Sequence, residues 1–136
     1  MIMSEQNEKW TVLVVDDEPE SRQFVEAILK AKLPVRTLSA ESGEEGLQLA
    51  RTQHPNLIVM DVMMPGISGY DAFLALRKDP ETADIPVIML TGLVELRGYV
   101  DGSEWLPHPE HCVDKPAKPE ALLALARDLL ADQPKT

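Results

Sequence analysis

The sequence predicts an α/β fold built on a doubly wound, five-stranded parallel sheet. Three observations predict it: short apolar runs rich in β-branched residues, amphipathic segments that alternate with them, and polar residues at the carboxyl end of each run. The run at the centre is Leu57-Ile58-Val59-Met60-Asp61, between His54-Pro55-Asn56 and Val62-Met63-Met64-Pro65-Gly66. Four consecutive apolar residues without alternation read as a strand buried on both faces, as parallel sheets covered by helices require. A carboxylate ending such a strand opens into the crevice where open α/β sheets bind ligands, which makes Asp61 the first candidate site residue.

Taken in order, Thr11-Val12-Leu13-Val14-Val15 is a β-branched run that ends in Asp16-Asp17-Glu18. Pro19 suits a first helical turn, and Phe24, Val25, Ile28 and Leu29 recur at helical spacing, so a helix is predicted from about 19 to 31, ended by Pro34. Val35 to Leu38 is a weaker strand because of Arg36 and Thr37, and is expected at or near a sheet edge. Ser42 and Glu45 stand at capping-box spacing ahead of Leu47, Leu49 and Ala50, predicting a helix from about 43 to 52 that His54-Pro55 stops. Beyond the central run, Ala72, Phe73, Leu74 and Leu76 predict a helix from about 69 to 78 that Pro80 closes. Pro86 to Leu90 is another strand and delivers Thr91-Gly92 to the same edge.

From 93 to 111, Gly98, Gly102, Pro107 and Pro109 interrupt any helix longer than two turns, so the fourth-helix region is expected to be irregular. Cys112-Val113-Asp114 is a short last strand leading to Lys115-Pro116, and Pro119 opens a terminal helix carrying Leu122, Leu123, Leu125, Ala126, Leu129 and Leu130. The expected organisation is a lead-in over 1–10, one domain over 11–131 and a tail over 132–136.

Composition narrows the function classes. A net charge of −10 opposes a nucleic-acid surface, which needs clustered Lys and Arg, and suits a site that collects divalent cations. A single cysteine, Cys112, excludes an internal disulfide and fits a reducing compartment. No apolar run approaches the roughly 20 residues of a membrane span, and the polar start with Glu5 and Glu8 is unlike a signal peptide, so a cytoplasmic location is expected.

Four strands thus place polar residues at one edge: Asp16 and Asp17, Asp61, Thr91, and Lys115. Three carboxylates converging there would repel one another unless a cation is bound, and oxygen-only ligands point to Mg²⁺. A cation, a Lys ammonium and a Thr hydroxyl around a carboxylate are what phosphoryl transfer to that carboxylate requires. The positive groups neutralise charge on the equatorial oxygens, the hydroxyl donates a hydrogen bond, and the aspartate attacks in line.

These residues stand in VLVVDDEP (Val12 to Pro19), LIVMDVMMPGISG (Leu57 to Gly69), VIMLTG (Val87 to Gly92) and VDKPAKP (Val113 to Pro119). The four motifs, in this order, resemble the receiver domains of two-component response regulators over roughly residues 11 to 131. The resemblance implies a flavodoxin-like (βα)5 fold with strand order 2-1-3-4-5. It implies that Asp61 is the phosphoacceptor, served by a histidine kinase or a histidine phosphotransfer protein. Asp17 matches a direct Mg²⁺ ligand and Asp16 its companion acting through water. Met63 matches the position whose backbone carbonyl is a ligand and whose side chain borders the approach path for water. Thr91 and Lys115 match the hydroxyl and the cation that engage the phosphoryl group, and the Lys115-Pro116 bond is expected to be cis. The implied role is a single-domain signalling switch with at most slow self-dephosphorylation, acting on a downstream protein target, without direct nucleic-acid contact or membrane insertion.

Two departures stand out. The position three residues before the lysine, commonly Tyr or Phe in receivers, is Cys112, and His108-Pro109 replaces a customary Gly-Ala pair. An alternative is therefore a degenerate receiver acting as a phosphorylation-independent interaction module. A Mg²⁺ phosphatase of the haloacid-dehalogenase type would need a second Asp two residues after Asp61, where Met63 stands. His108, His111 and Cys112 lack a clear fourth ligand for a transition metal and read as an exposed loop.

Overall fold

The structure is a computed structural model that describes residues 8–91, 111–131 and 133. Its elements are β1 (Trp10–Val15), α1 (Pro19–Lys32), β2 (Val35–Ala40), α2 (Gly43–Gln53), β3 (Leu57–Asp61), α3 (Gly69–Lys78), β4 (Val87–Thr91), β5 (His111–Asp114) and α4 (Pro119–Ala131). The strands form one parallel sheet in the order β2-β1-β3-β4-β5, which is the doubly wound, flavodoxin-like arrangement implied by the motifs. Of the stretch expected to be irregular, residues 93–110, with His108, lie outside the described residues, while His111, its last residue, is the first of β5.

Strand alternation divides the core into two layers. Leu13, Val15, Ile58, Met60, Val87 and Met89 face Ala50 of α2 and Phe73 and Leu76 of α3. Val12, Val14, Leu57, Val59, Ile88 and Leu90 face Val25 and Leu29 of α1 and Leu122, Ala126 and Leu130 of α4. Because both faces are covered, β3 and β4 are buried at every residue, which is why their sequences show no polar alternation. β2 lies at the edge as expected but runs two residues past Leu38. Ser39 and Ala40 stay in register with Val14 and Val15, and Glu26 of α1 accepts hydrogen bonds from the Thr37 and Ser39 hydroxyls at 2.9 and 2.6 Å.

Helix ends follow local chemistry. Pro19 opens α1 behind Glu18, and His54 closes α2 in the left-handed region at φ 47°, its N–H donating to Ala50 O. Ser42 caps α2 by accepting the Glu45 amide, but Glu45 does not complete the expected reciprocal box. Its carboxylate accepts the Glu41 N–H at 2.7 Å instead. A complete capping box is found at α3, where Ser68 accepts the Asp71 amide and Asp71 accepts that of Ser68. No described helix is long and apolar enough to cross a membrane.

Candidate functional site

The order β2-β1-β3 reverses the direction of winding between β1 and β3, so a crevice opens beyond their carboxyl ends. Asp16 follows β1 and Asp61 closes β3, so both reach this crevice from neighbouring strands. Among the described residues, Asp16, Asp17 and Asp61 are the group of acids whose carboxylate oxygens lie within 4.8 Å of one another. Asp16 and Asp61 are 3% and 4% exposed, so their charges are largely removed from water, while Asp17 is the more accessible member.

Lys115, in the turn after β5, places Nζ 2.5 Å from Asp61 Oδ1. The same carboxylate oxygen accepts the Met63 N–H at 3.2 Å, and the Met63 side chain is half exposed. Thr91 ends β4, next to β3, and is fully buried; its carbonyl accepts the Lys115 N–H at 3.1 Å, tying the lysine turn to the strand that carries the threonine. The Lys115-Pro116 bond is cis, as the motif implies. A groove of about 410 Å³ runs over this edge, with Asp16, Glu18, Phe24, Asp61, Lys115 and Pro116 among its lining residues.

The electrostatics follow from burial. Desolvation raises the Asp16 carboxyl above the ordinary carboxylate range, and the carboxylates of Asp61 and Asp17 push in the same direction. The Glu18 amide, which donates to Asp16 Oδ1 at 3.0 Å, and the Lys115 ammonium pull the other way. Three acids against one ammonium leave an excess of negative charge in a confined volume, and the donors facing it are oxygens. That set suits a hard divalent cation rather than zinc or copper.

The residues singled out from the sequence are thus gathered at one sheet edge from β1, β3, β4 and the turn after β5. Two contributors were not legible there. Arg22 of α1 reaches back to donate Nη1 to the Asp16 carbonyl at 2.8 Å, a contact that helical patterning alone does not signal. Gly69 packs directly on the backbone of Asp61 and Val62, so an added Cβ would sit on the Asp61 carbonyl oxygen. Cys112 is exposed on β5, and burial around its sulfur followed by the Asp114 charge raises its thiol pKa, the opposite of an activated thiolate.

The family model of the response regulator receiver domain matches residues 12–127. The chain is 41% identical over 122 residues to the probable transcriptional regulator ycf27 of Cyanophora paradoxa, an alignment covering 90% of this chain and 48% of that protein. It is 42% identical over 80 residues to Protein PilH of Pseudomonas aeruginosa, covering 59% of this chain and 65% of the relative. The chain spans about half the length of the ycf27 relatives it matches. Among solved structures, the signal receiver domain of a signal transduction histidine kinase from Syntrophus aciditrophicus is similar with a TM-score of 0.79 at 30% identity, covering 90% of each chain. The chemotaxis response regulator CheY4 of Vibrio cholerae gives 0.73 at 27% identity, covering 90% of this chain and 99% of that one. With its sheet order, its acidic crevice and these matches in agreement, the chain belongs to the response regulator receiver domains of two-component signalling.

Proposed function

We propose that this chain accepts a phosphoryl group on Asp61 from the phosphohistidine of a histidine kinase or phosphotransfer protein, and thereby changes a surface that docks a downstream protein. The observation that carries this reading is the gathering of Asp16, Asp17 and Asp61 within 4.8 Å, with the Lys115 ammonium on Asp61. Asp16, Asp17, Asp61 and the backbone carbonyl of Met63 would hold Mg²⁺. When bound, Mg²⁺ supplies charge neutralisation on the transferring group and offsets the repulsion among the acids.

The chain's own residues do the rest. An Asp61 carboxylate oxygen attacks phosphorus in line with the P–N bond of the donor. That bond breaks, its electron pair returns to the imidazole nitrogen, and an acyl phosphate remains on Asp61. Lys115 neutralises charge on the phosphoryl oxygens, the Met63 N–H keeps the carboxylate aimed, and the Thr91 hydroxyl donates to the phosphoryl group. The charge at the site grows from −1 to about −2, which biases the surrounding surface toward a second arrangement. Exposed Cys112, standing where an aromatic readout residue is common, makes the output route of this chain its own.

The transcriptional role in the names of the ycf27 relatives belongs to proteins about twice this length, and the net charge of −10 opposes direct binding of a polyanion by this domain. The reading makes the chain a signalling domain of the cytoplasm with slow self-dephosphorylation at most. Amide NMR spectra recorded with Mg²⁺ and beryllofluoride test it. Large shifts around Asp61, Thr91 and Lys115, absent in Asp61→Asn, are expected; an unchanged spectrum would favour a phosphorylation-independent interaction module.

A further inference from the structure

We infer that Arg22 is a positioning residue for the acidic crevice, its guanidinium fixing the backbone at Asp16 so that this carboxylate meets those of Asp17 and Asp61. The inference rests on the reading of the crevice as a Mg²⁺ and phosphoryl site.

Arg22 is the fourth residue of α1 and is 9% exposed. Nη1 donates to the Asp16 carbonyl at 2.8 Å in a buried bond. Nη2 lies 3.7 Å from Glu41 Oε1, but the Glu41 side chain is 73% exposed, so that pair contributes little. A buried guanidinium is costly unless its charge and its donors are matched. Here its short bond goes to a neutral carbonyl, that of Asp16, the first residue of the acidic group. A residue serving only to solubilise the α1 surface would point away from this carbonyl.

Asp16 stands between the end of β1 and the start of α1, where neither element fixes its conformation. Three hydrogen bonds hold it instead. Its N–H donates to Ala40 O at 3.1 Å, its Oδ1 accepts the Glu18 N–H at 3.0 Å, and its carbonyl accepts from Arg22. The first two partners are main-chain groups that any sequence supplies. The third depends on the identity of residue 22.

Mg²⁺ binding to the full chain, followed by isothermal titration calorimetry, tests this in Arg22→Met, which keeps the aliphatic stem, and Arg22→Lys, which keeps the charge. The Glu18 amide resonance, reporting the Asp16 carboxylate, is followed in parallel by NMR. Arg22→Met should weaken Mg²⁺ about tenfold, the loss typical of removing an outer-shell support, and shrink the Mg²⁺-induced shift of the Glu18 amide. Arg22→Lys should weaken it about threefold, because an ammonium replaces the charge but not the fork. Unchanged or tighter binding in Arg22→Met overturns the inference, since removing a bystander cation beside an acidic site can only favour Mg²⁺. Should Arg22→Met fail to fold, Arg22→Lys decides alone: a several-fold loss supports the inference and parent-like affinity overturns it. Absence of Mg²⁺ binding in the parent chain removes the phosphoacceptor reading as well, and is seen before any variant is compared.

Discussion

Lys115 Nζ lies 2.5 Å from Asp61 Oδ1 although β4 separates the strands that lead to them, so the sheet order itself creates this ion pair. Asp61 is 4% exposed and the Lys115 side chain 37%, which makes the pair a partly desolvated one whose loss is felt mainly by the carboxylate.

Lys115→Met should therefore destabilise the metal-free protein by about 1–2 kcal/mol, less than a fully buried pair because solvent screens the lysine. Added Mg²⁺ should recover more stability in this variant than in the parent, since it replaces the missing positive charge. Urea unfolding in chelator and in Mg²⁺ measures both; an equal deficit in the two buffers would speak against a shared electrostatic role.

Asp16 gives a pH signature. Its carboxyl is raised in the folded state by burial first, then by Asp61 and Asp17, so its ionisation opposes folding. The native state binds this proton more tightly than the unfolded state, so its contribution is full below the ordinary carboxylate range and is lost as pH rises through the raised value. Asp16→Asn should be more stable than the parent in metal-free buffer, with the gap opening above the ordinary carboxylate range and widening as pH rises through the raised value. Thermal melts at a series of pH values check this, and a pH-independent gap would count against it.

Asp79 predicts the opposite sign at a remote place. The Glu81 amide and then Arg51, whose Nε is 2.9 Å from Asp79 Oδ2, hold its carboxyl below the ordinary range. Its stabilising contribution is present above the ordinary carboxylate range and fades as pH falls through the depressed value. Asp79→Asn should lose a small amount of stability at neutral pH, converge with the parent in acid, and leave Mg²⁺ affinity unchanged. A change in Mg²⁺ affinity would contradict the separation of this pair from the crevice.

Gly69→Ala tests the backbone beneath Asp61. An added Cβ would overlap the Asp61 carbonyl oxygen and lie 2.9 Å from Val62 Cα, and backbone cannot give way as a flexible side chain can. A loss of about 3 kcal/mol is expected from chemical denaturation, with displaced amide resonances at Asp61 and Met63. Parent-like stability would show that the start of α3 tolerates a shift.

Much of this was legible in the sequence because burial on both faces leaves a plain mark. Leu57 to Asp61 and Val87 to Thr91 are apolar up to their last residue, and that residue is the one each strand brings to the crevice edge. Patterning was less informative where a side chain had a choice of amides or reached across a turn. The Glu45 carboxylate accepts the Glu41 amide rather than that of Ser42, and the Ser68–Asp71 box was marked only by a Ser-x-x-Asp spacing. The extra residues of β2 depend on Glu26 answering Thr37 and Ser39 from another element. Arg22 was invisible for the same reason, since its carbonyl partner is a main-chain atom with no residue type to announce it.

The most direct measurement is the intact mass of the protein after incubation with acetyl phosphate and Mg²⁺, for the parent and for Asp61→Asn. One added phosphoryl group is predicted in the parent, lost on chelating Mg²⁺ and absent from Asp61→Asn. Equal labelling of the two proteins, or none in the parent, would contradict the assignment of Asp61 as the phosphoacceptor.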